Sequence, residues 1–177
     1  RISSDPTPRQ SLALELATKD PAPNVIYLAR PCQYTPEECD SACGPYYWTN
    51  GRFSEPVVKS VDQAVAYFVK EAGAPGVHFT GYSGGAAVAV LVAARRNDVL
   101  SLTTVAGNLD PEAVNKAHDA SSLEGSLNPM DFAENVKNIP MRHFIGTLDN
   151  TVPSSIARSF AERCGDSSAR SITEINR

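Results

Sequence analysis

The residues with the strongest chemical implication are Gly81-Tyr82-Ser83-Gly84-Gly85, a Gly-x-Ser-x-Gly pattern. A chain of this composition produces it by chance only about 0.06 times. Val77 to Thr80 reads as a short apolar strand ahead of it, and Ala86-Ala87-Val88 opens a run that fits a buried helix. A serine at such a strand-to-helix turn is held in a strained conformation, its Oγ above the sheet end. Gly81 and Gly85 fit a close approach of strand and helix, and the Gly84 N–H, at the helix start, faces the position of a developing oxyanion.

A serine hydroxyl becomes a useful nucleophile when a base takes its proton and a carboxylate orients that base. Asp149 is the expected acid, in a turn directly after the apolar run Met141 to Ile145; the bland reading is an aspartate that caps its own loop. Asp110, after an earlier strand, is the substitute. Of the three histidines, His78 and His143 fall inside predicted buried strands and read as core residues. His118 lies in a variable segment and reaches a site only through loop folding. None follows Asp149, so a Ser…Asp…His order is not completed in these 177 residues.

These residues need elements to hold them. Ser11 to Lys19 reads as a helix stopped by Asp20-Pro21, and Asn24 to Ala29 as a short buried strand between prolines. Pro31 to Phe53 is a long loop, which at that length points to function or a covalent staple. Ser54-Glu55-Pro56 starts a helix whose face carries Val57, Val58, Val61, Ala64, Val65, Phe68 and Val69, closed by Gly73. Strands follow at 77–80, 100–106, 141–145 and from Arg170, with helices after Ser83 and over Ser154 to Cys164. Residues 108–139 are polar and poorly periodic, with one short helix signal at Asn128-Pro129, and read as a lid or substrate-binding insertion within a single domain spanning 1–177. Strands alternating with helices predict an α/β fold: a three-layer α/β/α sandwich with a mostly parallel sheet. Ligands of such sheets bind beyond the carboxyl ends of the strands, where Ser83 and Asp149 both fall.

Composition narrows the partners. With 42% hydrophobic and 20% charged residues the chain has the profile of a globular protein. A formal net charge of −4 without a basic run argues against nucleic acid or an anionic membrane surface, and no apolar stretch approaches a membrane span. Cys32, Cys39 and Cys43 crowd one loop while Cys164 stands apart, a usage that suggests at least one disulfide among the three and an oxidising, periplasmic or secreted location. Reduced thiols are the alternative. A metal site is not expected, since no histidine lies near the cluster and no Cys-x-x-Cys occurs. No cofactor is expected either, for want of a Gly-rich phosphate loop after the first strand.

The elbow residues, followed by Gly146-Thr147-Leu148-Asp149-Asn150-Thr151-Val152-Pro153, resemble the α/β-hydrolase superfamily over residues 24–177. The loop Ala29-Arg30-Pro31-Cys32-Gln33-Tyr34 with Tyr47-Trp48-Thr49 further resembles a bacterial group of exported or lipoprotein-like members. The resemblance implies Ser83 as nucleophile, Asp149 as triad acid and the Gly84 N–H as one oxyanion donor. It places the catalytic histidine beyond Arg177 and the second oxyanion donor before Arg1, so the chain is expected to be the middle of a longer protein. The implied activity is that of a serine hydrolase acting on a small-molecule ester or related acyl substrate through an acyl-enzyme. The rival expectation is a catalytically silent binding protein of the same fold.

Overall fold

A computed structural model describes residues 5–35 and 43–176. Helix α1 (Leu12–Lys19) is followed by an extended segment, a 3₁₀ turn (Pro45–Trp48) and the long helix α2 (Glu55–Ala72). Then come β1 (Val77–Tyr82), α3 (Gly84–Ala93), β2 (Val99–Val105) and α4 (Pro111–Ala117). A second 3₁₀ turn (Pro129–Phe132) leads into α5 (Ala133–Val136), β3 (Met141–Gly146), α6 (Ser154–Arg163) and β4 (Arg170–Ile175). The four strands form one parallel sheet in the order β1-β2-β3-β4. The predicted α/β architecture with a parallel sheet is therefore present, and every strand ends at the same edge.

Helix α3 is the centre of the packing. Every residue from Ala86 to Ala93 is buried. Ala86, Ala89, Val90 and Ala93, at helical spacing, face a core shared with Leu102 of β2, Met141 and Ile145 of β3, and Ile156, Ala157 and Phe160 of α6. Ala87, Val88, Leu91 and Val92 face the other way, onto Phe53, Val57 and Val58. A helix apolar all round is one with partners all round. Each fully buried valine or leucine on it contributes about 1.5–3 kcal/mol. Its C-terminal end is tied to α2 by ion pairs, Arg95 to Glu55 at 2.7 Å and Arg96 to Asp62 at 2.7 Å, with Arg96 also on Asp98 at 2.6 Å.

Several expectations need correction. Asn24 to Ala29 forms no strand. Nor is the run buried as expected: Val25 and Ile26 are exposed, and the half-buried Leu28, Ala29 and Pro31 share the lining of a cavity with Ser60, Val61 and Ala64 of α2. A short apolar run specifies neither burial nor pairing by itself, and a strand exists only where a neighbour accepts its hydrogen bonds. Ser54 precedes α2 as expected, yet its side chain makes no cap bond and its buried Oγ has no partner among the described residues. Gly73 closes α2 with φ 59°, as its position implies. The 108–139 segment holds more structure than its single helix signal suggested. Asp110 caps α4 through Ala113 N (3.2 Å), Pro111 occupies the first turn, and Val114, Ala133 and Val136 are buried in the core shared with α3. The Asp-Pro start was present in the sequence as a cap-and-Pro signal.

Cys32 and Cys43 form a disulfide, while Cys39 lies outside the described residues. Cys164 is a free, buried thiol whose pKa is pushed up by desolvation, as expected of an inert core cysteine. Among the described residues no helix is long and apolar enough to cross a membrane, and no group of three or more His, Cys, Asp or Glu is placed to hold a metal ion.

Candidate active site

The elbow is a turn of high local strain. Ser83 has φ 49° and ψ −120°, a left-handed conformation that costs a non-glycine residue about 1–3 kcal/mol. The surroundings impose it. The Ser83 N–H donates to the Val105 carbonyl at 2.9 Å, continuing the β1–β2 ladder one residue past the strand. The Ser83 carbonyl accepts from Ala86 N at 3.0 Å and from Asn108 N at 3.1 Å, so the turn is fixed both to α3 and to the loop after β2. The Ser83 hydroxyl makes no hydrogen bond among the described residues, and the side chain is partly exposed at the strand-end edge.

The glycines divide by role. A Cβ on Gly81 would lie 2.5 Å from Ala86 Cα and 2.7 Å from Ala86 N, so this position admits no side chain while strand and helix keep their approach. Gly85 does not share that role: nothing lies within 4 Å of a Cβ built there, which corrects the expectation of a collision. Gly107, opposite the elbow, would bring a Cβ to 3.1 Å from Ala86 Cβ, so both loops crowd the same helix turn. At Gly84 the corresponding position lies 3.4 Å from two ring carbons of Phe53 and 3.9 Å from Nη1 of Arg30.

Asp149 follows β3 at the same edge of the sheet, with β2 between it and the elbow. Its Oδ1 accepts from Thr151 N at 2.8 Å and Val152 N at 3.0 Å. The aspartate does cap its own loop, and that cap aims the carboxylate: Oδ2 has no partner among the described residues. Asp110, the substitute acid, is committed elsewhere, to the α4 cap and to Asn128 Nδ2 at 2.9 Å.

The histidines separate cleanly. His78 sits on the exposed side of β1, its Nδ1 2.7 Å from Ser101 Oγ, and is not the buried residue its strand implied. His143 is fully buried, as predicted, with Nδ1 2.8 Å from Thr104 Oγ1 and its ring edge-on to Phe160. Desolvation, reinforced by the charge of Arg170, lowers its pKa to about 4. His118, at the end of α4, reaches the acid's loop: its Nε2 lies 2.8 Å from the Thr151 carbonyl. Among the described residues none of the three hydrogen-bonds to Ser83 or to the Asp149 carboxylate.

Two cations were not anticipated. Arg30, in the extended segment, brings its guanidinium to Gly84, and Arg52 lies 5.8 Å from the Phe53 ring centroid with its Nε buried and unpartnered among the described residues. Nothing local marks Arg30 for this place, since it meets Gly84 across 54 positions of sequence. A concavity of about 260 Å³ lined by Arg158, Glu162, Asp166 and Arg170 lies at the N-terminal end of β4, the wrong end of the sheet for this chemistry.

The family model for serine hydrolase (FSH1) matches residues 10–174. No curated protein sequence matches the chain. Among solved structures, the Pyrococcus horikoshii acylaminoacyl peptidase superimposes with a TM-score of 0.63 at 13% identity, covering 84% of this chain and 26% of that one. A puromycin hydrolase S511A mutant gives 0.57 at 16% identity over 70% of this chain and 22% of its own. The Pyrococcus furiosus esterase gives 0.55 at 14% identity, over 70% and 53% respectively. These likenesses show the α/β-hydrolase fold, of which this chain is part, and the chain spans only 22% to 53% of those three proteins.

Proposed function

The chain belongs to the serine hydrolase (FSH1) family, and on that premise we propose that it carries the nucleophile and acid of an enzyme that cleaves a carboxylic ester or related acyl bond. Ser83 attacks the acyl carbon and forms an acyl-enzyme, which water then hydrolyses. The developing oxyanion is met by the Gly84 N–H at the start of α3, where the helix dipole favours negative charge. Asp149, its Oδ1 held by two backbone N–H groups, offers Oδ2 to the Nδ1–H of a catalytic imidazole. That imidazole belongs to a histidine other than His78, His118 and His143, none of which hydrogen-bonds to Ser83 or the Asp149 carboxylate among the described residues. The substrate is a small molecule, no cofactor takes part, residues 108–139 border the site as its lid, and the Cys32–Cys43 disulfide fits an exported protein.

The observation that carries this reading is the positive φ of Ser83 in an elbow where Gly81 leaves no room for a side chain. Strain of this kind persists where the surrounding structure over-determines it, and it clusters at functional sites. The test is labelling of the protein, as its gene encodes it, with a fluorophosphonate. Wild type labels on Ser83 and Ser83→Ala does not. A folded wild type that resists the probe supports the second reading, a binding protein on a hydrolase fold, which the placement of the three histidines favours.

A further inference from the structure

Near the start of α3, around Gly84 and Phe53, lie two guanidinium groups that have no carboxylate partner among the described residues. Arg30 Nη1 is 3.9 Å from where a Cβ of Gly84 would stand, and the Phe53 ring fills the adjoining 3.4 Å contact. Arg52 lies over that ring. The arginines that brace α3 have carboxylate partners, Arg95 on Glu55 and Arg96 on Asp62 and Asp98. Neither Arg30 nor Arg52 has a carboxylate partner or a side-chain hydrogen bond among the described residues, and the Arg52 Nε is buried without an acceptor. Burial holds both guanidinium pKa values below the ordinary range, and in Arg30 the charge of Arg52 adds to the effect. Like charges drawn out of water without a counter-ion are costly, and an anion bound to them offsets that cost.

The positions are held in advance. The Arg30 N–H donates to Gln33 Oε1 at 3.2 Å and the Arg30 carbonyl accepts from Gln33 N at 3.1 Å, immediately before the Cys32–Cys43 disulfide. On the other side Phe53 N donates to Ser126 Oγ at 3.1 Å, the Ser126 hydroxyl donates to the Asn50 carbonyl, and Leu127 N donates to the Phe53 carbonyl at 3.1 Å. Groups ordered during folding lose little further entropy on binding.

We propose that Arg30 and Arg52 form a carboxylate-recognition subsite beside Ser83, so that the preferred substrate is an ester carrying a carboxylate within a few bonds of the scissile carbonyl. The inference rests on Ser83 being the nucleophile. A guanidinium–carboxylate pair is charge-assisted and can be bidentate, which sets the expected preference at about 10- to 100-fold.

The experiment compares, on the protein as its gene encodes it, the 4-nitrophenyl monoester of glutaric acid with its methyl-capped neutral counterpart, both corrected for spontaneous hydrolysis. The expected result is a kcat/KM ratio of at least 10 in favour of the acid, carried by KM. In Arg30→Gln and Arg52→Gln that ratio falls toward one. Should either variant fail to fold, wild type alone decides: glutarate slows fluorophosphonate labelling of Ser83 and neutral glutaramide does not. A wild-type ratio near one with Ser83 still labelling overturns the subsite and leaves the nucleophile standing. So does an equal fall in kcat for both esters in the variants, which would make the arginines oxyanion stabilisers. A wild type that does not label removes the nucleophile itself.

Discussion

Replacing Gly81 and Gly85 by alanine, one at a time, tests the physical account of the elbow. The Gly-x-Ser-x-Gly pattern treats the two glycines alike, and the structure does not. A methyl on Gly81 would stand 2.5 Å from Ala86 Cα, 2.7 Å from Ala86 N and 2.8 Å from the Gly85 carbonyl oxygen, all backbone atoms. Carbon atoms in contact prefer about 3.5–4.0 Å, so the intrusion is roughly 1 Å against atoms that cannot rotate away. Overpacking of this kind costs about 3 kcal/mol, which in a chain of this size lowers Tm by about 6–12 °C. The relief available is to push α3 off β1, which also moves Ser83 and the Gly84 N–H. The labelling rate of Ser83 therefore falls together with stability. At Gly85 a methyl meets nothing within 4 Å and the backbone is helical. There alanine is expected to stabilise by about 0.5–1 kcal/mol through reduced chain entropy, with Ser83 still labelled. Denaturant unfolding and fluorophosphonate labelling of both variants supply the readout. If Gly81→Ala unfolds within 0.5 kcal/mol of wild type, or Gly85→Ala loses as much as Gly81→Ala, the close-approach reasoning is wrong.

Three further outcomes follow from the same geometry. Asp149→Asn keeps an oxygen for Thr151 N and Val152 N, so its stability stays near wild type while hydrolysis falls about 10⁴-fold; Asp149→Ala also loses the loop cap, at about 1–2 kcal/mol by denaturant titration. His143 is neutral in the fold, with its pKa lowered to about 4, whereas the unfolded chain takes up a proton below 6.5. Its contribution to stability is therefore intact above pH 6.5 and is lost as pH falls toward 4, by about 3 kcal/mol at most. Unfolding curves between pH 7 and 4 should be steeper in pH for wild type than for His143→Gln, and equal slopes would remove His143 as the cause. Finally, non-reducing alkylation and mass spectrometry of protein from its native compartment should recover Cys32 linked to Cys43, with Cys164 modified only after unfolding. Free alkylation of Cys32 and Cys43 in folded protein would refute the link.

How much of this was legible beforehand differs from residue to residue. The elbow was, because a strand, a small-residue turn and an apolar helix are local patterns that the nearest neighbours in the chain enforce. The position of Asp149 at the strand-end edge was legible too, since strands alternating with helices dictate a parallel sheet with its turns at one end. The α2 face and its Gly73 stop were legible from helical spacing and the need for a left-handed residue. Residues 24–29 mark the limit. Their apolar run suggested a buried strand, yet Val25 and Ile26 are exposed and unpaired in any ladder, because burial and pairing both depend on neighbours that no local pattern names. His78 shows the same limit, because whether a strand face is covered depends on which helix lies over it.

The sequence by itself determined the strained turn at Ser83, the place of Asp149 after β3 and the parallel architecture, because each follows from spacing within one element or from the order of elements. Only the tertiary structure decided that Gly81 and not Gly85 carries the close approach, that Asp149 uses one oxygen to cap its loop, and that the three histidines are engaged away from Ser83. It also brought Arg30 to Gly84 and Arg52 over the Phe53 ring that packs there, which no pattern foretold. Such facts are contacts across tens of residues, fixed by how α2, α3 and the sheet pack, and packing is a property of the whole chain rather than of any stretch of it.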